Sequence, residues 1–257
     1  MRYTSATLPA IKRSSSTYSL LHYVGRSGDH NDKAMQATPI LAKHLSNELN
    51  MDPTVIGKPE NALNRGWEEE LKAALPNYKI ISEKLDQVLN EGKKPIIALS
   101  RCSVALATLP IIAKHYPDII IVWFDAHGDL NTPSSSDTGF LGGMALSGPI
   151  GLWESWMKGK KVKTENELLR TIDNIEEGRK RIFIHLDCDV LNPGIVPTDY
   201  KVPGGLSIQQ LKDAISGLSE SSDVIGIQIS ELEFGDSEKE TQDAAKLLVD
   251  SIKPVLC

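Results

Sequence analysis

The sequence predicts an α/β protein of three layers, in which helices cover both faces of a mainly parallel sheet. Strand-like segments alternate with helical ones along the chain, which is the pattern of a parallel sheet built from crossover units. The segments 119–124 and 181–186 are almost continuously aliphatic or aromatic, as expected for strands buried on both faces. Because the 257 residues contain no repeat and no long linker, we expect one domain over 1–257.

The strands are predicted from short runs of β-branched and other apolar residues between turn signals. These runs lie at 18–24, 54–56, 95–99, 119–124, 181–186 and 224–229. Helices are predicted where apolar residues recur three and four positions apart. They are expected at 33–49, 67–75, 78–89, 103–116, from 144 onward, at 207–218 and at 237–252. Ser207 is expected to cap the helix that it begins, whereas 158–180 is polar and lysine-rich without a convincing strand.

The composition argues against several classes of protein. A formal net charge of −6 disfavours nucleic acid or an anionic membrane as the main partner, because both attract basic surfaces. No apolar run reaches the length of a membrane span. Three widely spaced cysteines do not form a disulfide framework, which favours the reducing cytoplasm. The first 28 residues are basic and rich in Ser and Thr, like a transit peptide, but the strand predicted within them keeps a cytoplasmic location as our expectation.

Acidic residues follow the two most apolar strands at the points where these strands end. Asp125, His127 and Asp129 come directly after the first, and Asp187 and Asp189 come directly after the second. Charges in such positions are costly unless they are paired or bound to metal. The alternation of side chains along a strand predicts that Asp187 and Asp189 share one face. Carboxylate and imidazole groups in this number suit two divalent cations such as Mn²⁺.

The alternative explanation is an aspartate that caps a helix after each strand, with the remaining charges in solvent. It accounts for one residue in each cluster rather than for all five, so we favour a metal site. Two further strands end in reactive side chains, since Cys102 follows the strand at 95–99 and Glu231 follows the strand at 224–229. Ligands of open parallel sheets bind beyond the carboxyl ends of the strands, where all four ends are expected to meet.

These motifs resemble those of the ureohydrolase family, which includes the arginases and agmatinases. The family pattern has Asp-Ala-His-x-Asp, then Ser-x-Asp-x-Asp-x-x-x-Pro, and an upstream Gly-Gly-Asp-His-Ser. The first is intact at 125–129, the second is intact at 185–193 except for His185 in place of Ser, and the upstream motif corresponds to 99–103. The resemblance spans roughly residues 95–235. It implies a three-layer α/β fold, a binuclear manganese site and hydrolysis of a guanidino-type C–N bond.

The resemblance also implies roles for individual residues in holding the two metal ions. Asp125 and Asp187 resemble the carboxylates that bridge both ions. His127 and Asp189 resemble ligands of one ion, and Cys102 and Asp129 resemble ligands of the other.

On the substrate side, Glu231 resembles the glutamate that holds the guanidinium group by a charge-assisted two-point contact, and Glu233 is its rival on the same side of the chain. Asn131 and Thr138 resemble residues that contact the carboxylate of an amino-acid substrate. Asp129 is further expected to accept a hydrogen bond from the attacking hydroxide and to help move its proton.

Three departures from the family pattern indicate a divergent member. Cys102 stands where the pattern has a histidine ligand, and a thiolate favours Zn²⁺ or Fe²⁺, although Mn²⁺ remains our first expectation. The loop histidine that arginases use in proton transfer falls on Gly142. The segment between the two metal motifs is shorter than in typical arginases, so we expect fewer contacts to the amino end of a substrate. A specialised branch that hydrolyses N-hydroxy-arginine is compatible with these departures.

Several of these residues have a plainer structural explanation. His185 shares a strand face with Asp187 and is the nearest candidate for the missing acid, but a histidine satisfied within the core fits somewhat better. Cys102 could be an ordinary buried side chain, and its position within the motif favours the ligand role. Cys188 lies on the opposite face from Asp187 and is expected to pack in the core.

We therefore predict a metal-dependent hydrolase that acts on a small guanidino or amidino compound and releases urea or an analogue of urea. The catalytic candidates are Asp129, His185 and Glu231, and a homo-oligomer is a further expectation. The alternative is a catalytically impaired member that serves as a binding or regulatory protein. Loss of two histidines supports this alternative, and retention of acids that would repel one another without metal opposes it. A deacetylase of related fold is disfavoured because the pair Asp187 and Asp189 is of the ureohydrolase type.

Overall fold

A single sheet of six parallel strands forms the centre of the computed structural model, which describes residues 17–155 and 180–256. The strands run in the spatial order β2-β1-β3-β6-β5-β4, and every neighbouring pair is parallel. Their bounds are Tyr18–Tyr23 (β1), Thr54–Ile56 (β2), Lys94–Ala98 (β3), Ile120–Phe124 (β4), Lys180–Asp187 (β5) and Ser222–Ser230 (β6). The predicted α/β class and the parallel sheet are confirmed, and most strand ends lie within one or two residues of the prediction.

Helices cover both faces of the sheet, which gives the predicted three layers. They are α1 (Lys33–Leu49), α2 (Trp67–Asn90), α3 (Ala105–His115), α4 (Ile208–Ser221) and α5 (Glu238–Ile252). One core lies between the sheet and α1, α4 and α5, and a second lies between the sheet and α2 and α3. Alternate strand residues enter the two cores, as with Leu20 and Leu21 of β1, because successive side chains of a strand point to opposite faces.

Three of the predicted helices differ in the structure. The stretches 67–75 and 78–89 form one continuous helix, α2, because Pro76 lies on its exposed side, where the carbonyl that loses its hydrogen bond can face water. No α-helix begins at Met144; a 3₁₀ turn at Gly142–Met144 is followed by further turns. The backbone N–H groups of Leu146 and Ser147 both donate to the carbonyl oxygen of Asp129 at 3.1 Å, so a long-range loop contact replaces helical bonding there.

The caps of the last two helices follow local sequence rules. Ser207 and Gln210 form a reciprocal capping box at the start of α4, and the side chain of Ser237 accepts the N–H of Glu240 at the start of α5. The prediction of a polar, strandless segment at 158–180 falls almost wholly on residues that lie outside the described ranges. Lys180, the one residue of this segment that is described, begins β5. Among the helices of the described ranges, none is long and apolar enough to cross a membrane.

Candidate active site

The predicted site residues meet at the carboxyl edge of the sheet, around a cavity of about 480 Å³. The strands β3, β6, β5 and β4 lie side by side, so the segments that follow them converge at this edge. Eight of the ten predicted residues line the cavity; they are Cys102, His127, Asp129, Asn131, Thr138, Asp187, Asp189 and Glu231. The other two, Asp125 and His185, do not appear in its lining but contact residues that do.

A first group of possible ligands consists of Asp125, His127 and Asp189, whose ligand atoms lie within 4.8 Å of one another. His127 Nδ1 is 3.3 Å from Asp125 Oδ1 and 3.1 Å from Asp189 Oδ2. Backbone contacts hold the two carboxylates, because the His127 N–H donates to Asp125 Oδ1 at 2.6 Å and the Ala126 N–H donates to Asp189 Oδ1 at 3.1 Å. One imidazole and two carboxylates in this arrangement could hold a divalent cation.

A second group consists of Cys102, Asp187 and Glu231, again with ligand atoms within 4.8 Å. The Cys102 thiol donates to Asp187 Oδ2 at 2.9 Å, and Asp187 Oδ1 accepts the N–H of Asp189 at 2.7 Å. Cys102 also falls in a third group with Asp125 and His185, so Asp125 has possible ligand partners on both sides.

The prediction that Asp187 and Asp189 share one face of a strand is wrong. The strand β5 ends at Asp187, and Asp189 lies in a 3₁₀ turn over Cys188–Val190, so the two do not share a strand face. They are brought together by the turn, in which the Asp187 side chain caps the Asp189 N–H. Cys188 is fully buried in the core beneath α1, α4 and α5, and its prediction as a core residue is confirmed.

The carboxylates of the cluster destabilise one another in their charged forms. Burial, and after it the neighbouring Asp189, raise the pKa of Asp125 to about 7. Burial and then the Asp125 carboxylate raise the pKa values of Asp129 and Asp187 well above the usual range of an aspartate. Burial and the adjacent Asp187 likewise raise the pKa of the Cys102 thiol. Dense negative charge of this kind is relieved by a divalent cation, so the donor set fits the metal ions that the sequence predicted.

Two of the pocket residues have positive φ angles although neither is glycine. Asp129 has φ 49° and Glu231 has φ 64°, a region that is costly for residues with a side chain. The carbonyl of Asp129 is held by two N–H donors from the following loop, and the N–H of Glu231 donates to the carbonyl of Ser100 at 3.3 Å. These contacts hold the strained backbone so that both carboxylates face the cavity.

His185 is fully buried and lies next to Cys102, away from the open part of the cavity. Its ring stacks on Trp123, with 3.6 Å between centroids and 6° between planes, and Trp123 Nε1 donates to Asp125 Oδ2 at 2.9 Å. His185 Nε2 is 3.1 Å from Cys102 Sγ, and Nδ1 is 2.6 Å from the side-chain nitrogen of Gln228. Burial lowers the pKa of His185 to about 3. This position does not suit direct proton donation to a substrate, and it does suit orientation of the Cys102 side chain.

Glu231 lines the cavity, but both of its carboxylate oxygens already accept a hydrogen bond. The Cys102 N–H donates to Oε1 at 2.7 Å, and the guanidinium of Arg101 donates to Oε2 at 2.7 Å. Its rival Glu233 is buried, binds the same guanidinium at 3.0 Å and does not line the cavity. Glu231 is thus the better placed of the two to contact a ligand in the cavity.

The loop that carries the predicted substrate contacts is tied to the rest of the site by its backbone. The Asn131 N–H donates to the carbonyl of Gly143 at 3.0 Å, and the carbonyl of Gly139 accepts the N–H of Trp67 at the start of α2 at 2.8 Å. Gly142 lines the cavity, and a Cβ added there would lie 2.5 Å from a ring carbon of Phe140. A histidine at this position would therefore require Phe140 to move.

Sequence reasoning missed several residues of the site. Phe140 and Tyr200 line the cavity, and Tyr200 packs edge-on against His127 with 5.1 Å between ring centroids. Trp123 and Gln228 support the ligand residues from the sheet, and Arg101 binds Glu231. Only Arg101 carried a signal in the sequence, since it stands inside the upstream motif at a position where the family pattern has aspartate.

The fold and the site together define an α/β protein whose ligand site, rich in carboxylates, lies at the carboxyl edge of a parallel sheet. A sequence model of the Arginase family matches residues 68–166 and 155–253. The chain belongs to the arginase family, and the resemblance drawn from its motifs is confirmed.

Individual relatives agree with this assignment. The N(omega)-hydroxy-L-arginine amidinohydrolase of Streptomyces lavendulae is 28% identical over 258 residues, covering 90% of this chain and 94% of that protein. The arginase of Bacillus caldovelox is 31% identical over 135 residues, covering 50% of this chain and 45% of that protein. The crystal structure of arginase from Bacillus cereus superposes with a TM-score of 0.73 at 22% identity, covering 91% of this chain and 97% of that chain. This last likeness supports the fold alone.

Proposed function

We propose that this protein is a metal-dependent hydrolase that cleaves a C–N bond of a small guanidino compound, with two divalent cations bound among its clustered carboxylates. The observation that carries the proposal is the convergence of His127, Asp189, Cys102 and Asp187 in the lining of one cavity, with Asp125 in contact with them from behind. Family membership supports the guanidino class of substrate. A single domain and a cytoplasmic location remain parts of this proposal; Cys102 and Cys188 are both unpaired, which is consistent with a reducing compartment.

The residues would divide between the two ions as the motifs suggest. His127 and Asp189 would hold one ion, Cys102 and Asp129 would hold the other, and Asp125 and Asp187 would contact both. The membership of Asp125 in ligand groups on both sides supports its bridging role. Mn²⁺ is the expected metal for a site rich in carboxylates, and the sulfur of Cys102 makes Zn²⁺ or Fe²⁺ the alternatives.

When bound, two such cations lower the pKa of water so that a hydroxide nucleophile is available at neutral pH. The residues of the chain would bind and orient the substrate around this nucleophile. Glu231 would hold the guanidino group, and Asn131 and Thr138 would contact the far end of the substrate. Asp129 would accept a proton and pass it toward the leaving amine. His185 would act through Cys102 as a positioning residue.

The nature of the substrate is suggested by the relative that covers nearly the whole chain. That protein is named for N(omega)-hydroxy-L-arginine, whereas the match to the Bacillus caldovelox arginase covers half of this chain. The absence of a side chain at Gly142 also removes the loop histidine of arginases. We therefore propose an N-hydroxylated guanidino compound as the preferred substrate.

The deciding experiment measures metal content and hydrolysis on the same preparation. Protein purified without chelator is expected to contain about two equivalents of divalent metal by elemental analysis and to release urea or hydroxyurea from a guanidino compound. Protein that holds no metal and remains inactive after addition of Mn²⁺, Zn²⁺ or Fe²⁺ would instead favour the catalytically impaired, regulatory alternative.

The ligand role of Cys102 predicts a spectroscopic signature. Protein loaded with Co²⁺ is expected to show a sulfur-to-metal charge-transfer absorption that is lost in Cys102→Ser and kept in Cys188→Ser, because Cys188 lies in the core on the other face of the sheet. Cys102→His is expected to shift metal preference toward Mn²⁺. An unchanged absorption band in Cys102→Ser would show that the sulfur is not bound to the metal.

The raised pKa values predict how stability depends on pH. The folded-state pKa of Asp125 is about 7 against an ordinary 3.8, so the folded metal-free protein binds more protons than the unfolded chain between these values. Its stability should therefore fall as pH rises from about 4 to 7. Added metal should raise the melting temperature more at pH 8 than at pH 5, because protons compete for the ligands. Differential scanning calorimetry at the two pH values measures this, and an equal or larger stabilisation at pH 5 would contradict it.

A further inference from the structure

A buried arginine lies directly behind Glu231. Arg101 is 1% exposed, is absent from the lining of the cavity, and has four carboxylates around its guanidinium. Nε is 3.0 Å from Asp29, Nη1 is 2.7 Å from Glu231, and Nη2 is 3.0 Å from Glu233. Asp199 lies at 3.9 Å from Nη1. Burial opposes the charge of Arg101, but the carboxylates of Glu231 and Asp29 raise its pKa well above the usual range, so it is a permanent cation.

This contact places an internal guanidinium against the carboxylate that would receive the guanidino group of a substrate. Oε2 of Glu231 binds Arg101 and Oε1 binds the backbone N–H of Cys102. A ligand in the cavity can use only the remaining lone pairs of these two oxygens, because each carboxylate oxygen accepts about two hydrogen bonds. A substrate cation bound there would share Glu231 with a second, buried cation.

Resting on the proposed function, we propose that Arg101 is a specificity-determining residue, which shifts the preference of the site from strongly basic guanidinium groups toward guanidino groups that lose their proton more readily. An N-hydroxylated guanidine is a ligand of the favoured kind, because the electronegative oxygen withdraws electrons and lowers the basicity of the group. An unmodified alkyl guanidine keeps its proton, like the arginine side chain itself.

The size of the effect follows from simple electrostatics. Two guanidinium groups on opposite sides of one carboxylate have centres on the order of 8 Å apart. At an effective dielectric constant of about 20, repulsion between unit charges at that separation weakens binding by about thirtyfold. An uncharged guanidine does not incur this repulsion. Because solvent and the carboxylates of Asp29 and Glu233 offset part of this repulsion, we expect about tenfold discrimination to depend on the charge of Arg101.

The test compares kcat/KM for N-hydroxy-L-arginine and L-arginine in metal-loaded protein, with KM and kcat determined separately. Arg101→Met should lower the ratio of the two values by about tenfold, mainly through a lower KM for L-arginine. Glu233→Gln should raise the ratio severalfold, because it leaves the positive charge of Arg101 less compensated without touching the cavity. Arg101→Lys keeps the charge and should largely retain the wild-type ratio.

The controls separate failure of this inference from failure of the proposed function. Glu48→Gln removes an equal charge from a surface ion pair with Lys253 and should leave the ratio unchanged. Wild-type protein that holds two metal ions but hydrolyses neither compound would overturn the proposed function, and the role of Arg101 with it. Hydrolysis with a ratio unaltered in both Arg101→Met and Glu233→Gln would overturn the role of Arg101 alone. If Arg101→Met does not fold, the direction of the change in Glu233→Gln decides.

Discussion

Replacing either Asp125 or Asp187 by asparagine is expected to remove both metal ions and to lower hydrolytic activity by more than about a hundredfold. Even outer partners of metal ligands cost roughly 10–100-fold in metal affinity or activity, so a shared ligand should cost more. Asp125 belongs to ligand groups on both sides of the site, and Asp187 contacts Cys102 on one side and the Asp189 N–H on the other. Loss of a carboxylate common to both ions should release the pair together.

Elemental analysis of the purified variants measures this directly. Asp137→Asn is a suitable control, because Asp137 is an exposed acid of the neighbouring loop and does not line the cavity. It should retain two equivalents of metal and near-normal activity. Without metal, the asparagine variants should still fold, since each removes one of several mutually repelling acids. One fully retained metal ion in both variants would contradict the bridging roles.

The sheet and the position of the site were predictable because both depend on local features of the chain. Apolar runs that end in acids determine where β4 and β5 stop, and a parallel sheet brings such ends to a common edge. One ligand group consists of Asp125, His127 and Asp189, and these residues are close in sequence to those strand ends. Their short hydrogen bonds arise within the same turn or between neighbouring strands, so little depends on contacts from distant parts of the chain.

The surroundings of these acids were not predictable, because they depend on pairing between distant segments. Trp123 and His185 stack because they are register partners in β4 and β5, and register cannot be read from either strand alone. Arg101 meets Asp29, which lies 72 residues earlier, and Glu233, which lies 132 residues later. The expected role of His185 as an acid rested on its strand face, and in the structure His185 contacts Cys102. Its depth in the sheet is what separates it from the open cavity.

The metal-loaded protein is expected to hydrolyse N-hydroxy-L-arginine with a kcat/KM at least about a hundredfold above that for L-arginine. Two features act in the same direction. The charge of Arg101 behind Glu231 disfavours a cationic guanidinium, and Gly142 offers no side chain for proton transfer where arginases have a histidine. Proton donation by a placed side chain contributes about 10²–10⁴-fold in general. An N-hydroxyl group brings its own O–H donor next to the reacting carbon, so the substrate itself offsets part of this loss.

The two rates are measured separately from their products. N-hydroxy-L-arginine gives hydroxyurea, L-arginine gives urea, and both give ornithine.

His185→Ala serves as an internal comparison. If His185 acts through Cys102, as its 3.1 Å contact indicates, this variant should lose metal and slow both reactions by a similar factor. If His185 were the proton donor, metal content would stay unchanged while turnover fell by about tenfold. Efficient hydrolysis of L-arginine by the wild-type protein would contradict the proposed selectivity, because it would mean that neither Gly142 nor Arg101 limits the reaction of a cationic guanidinium.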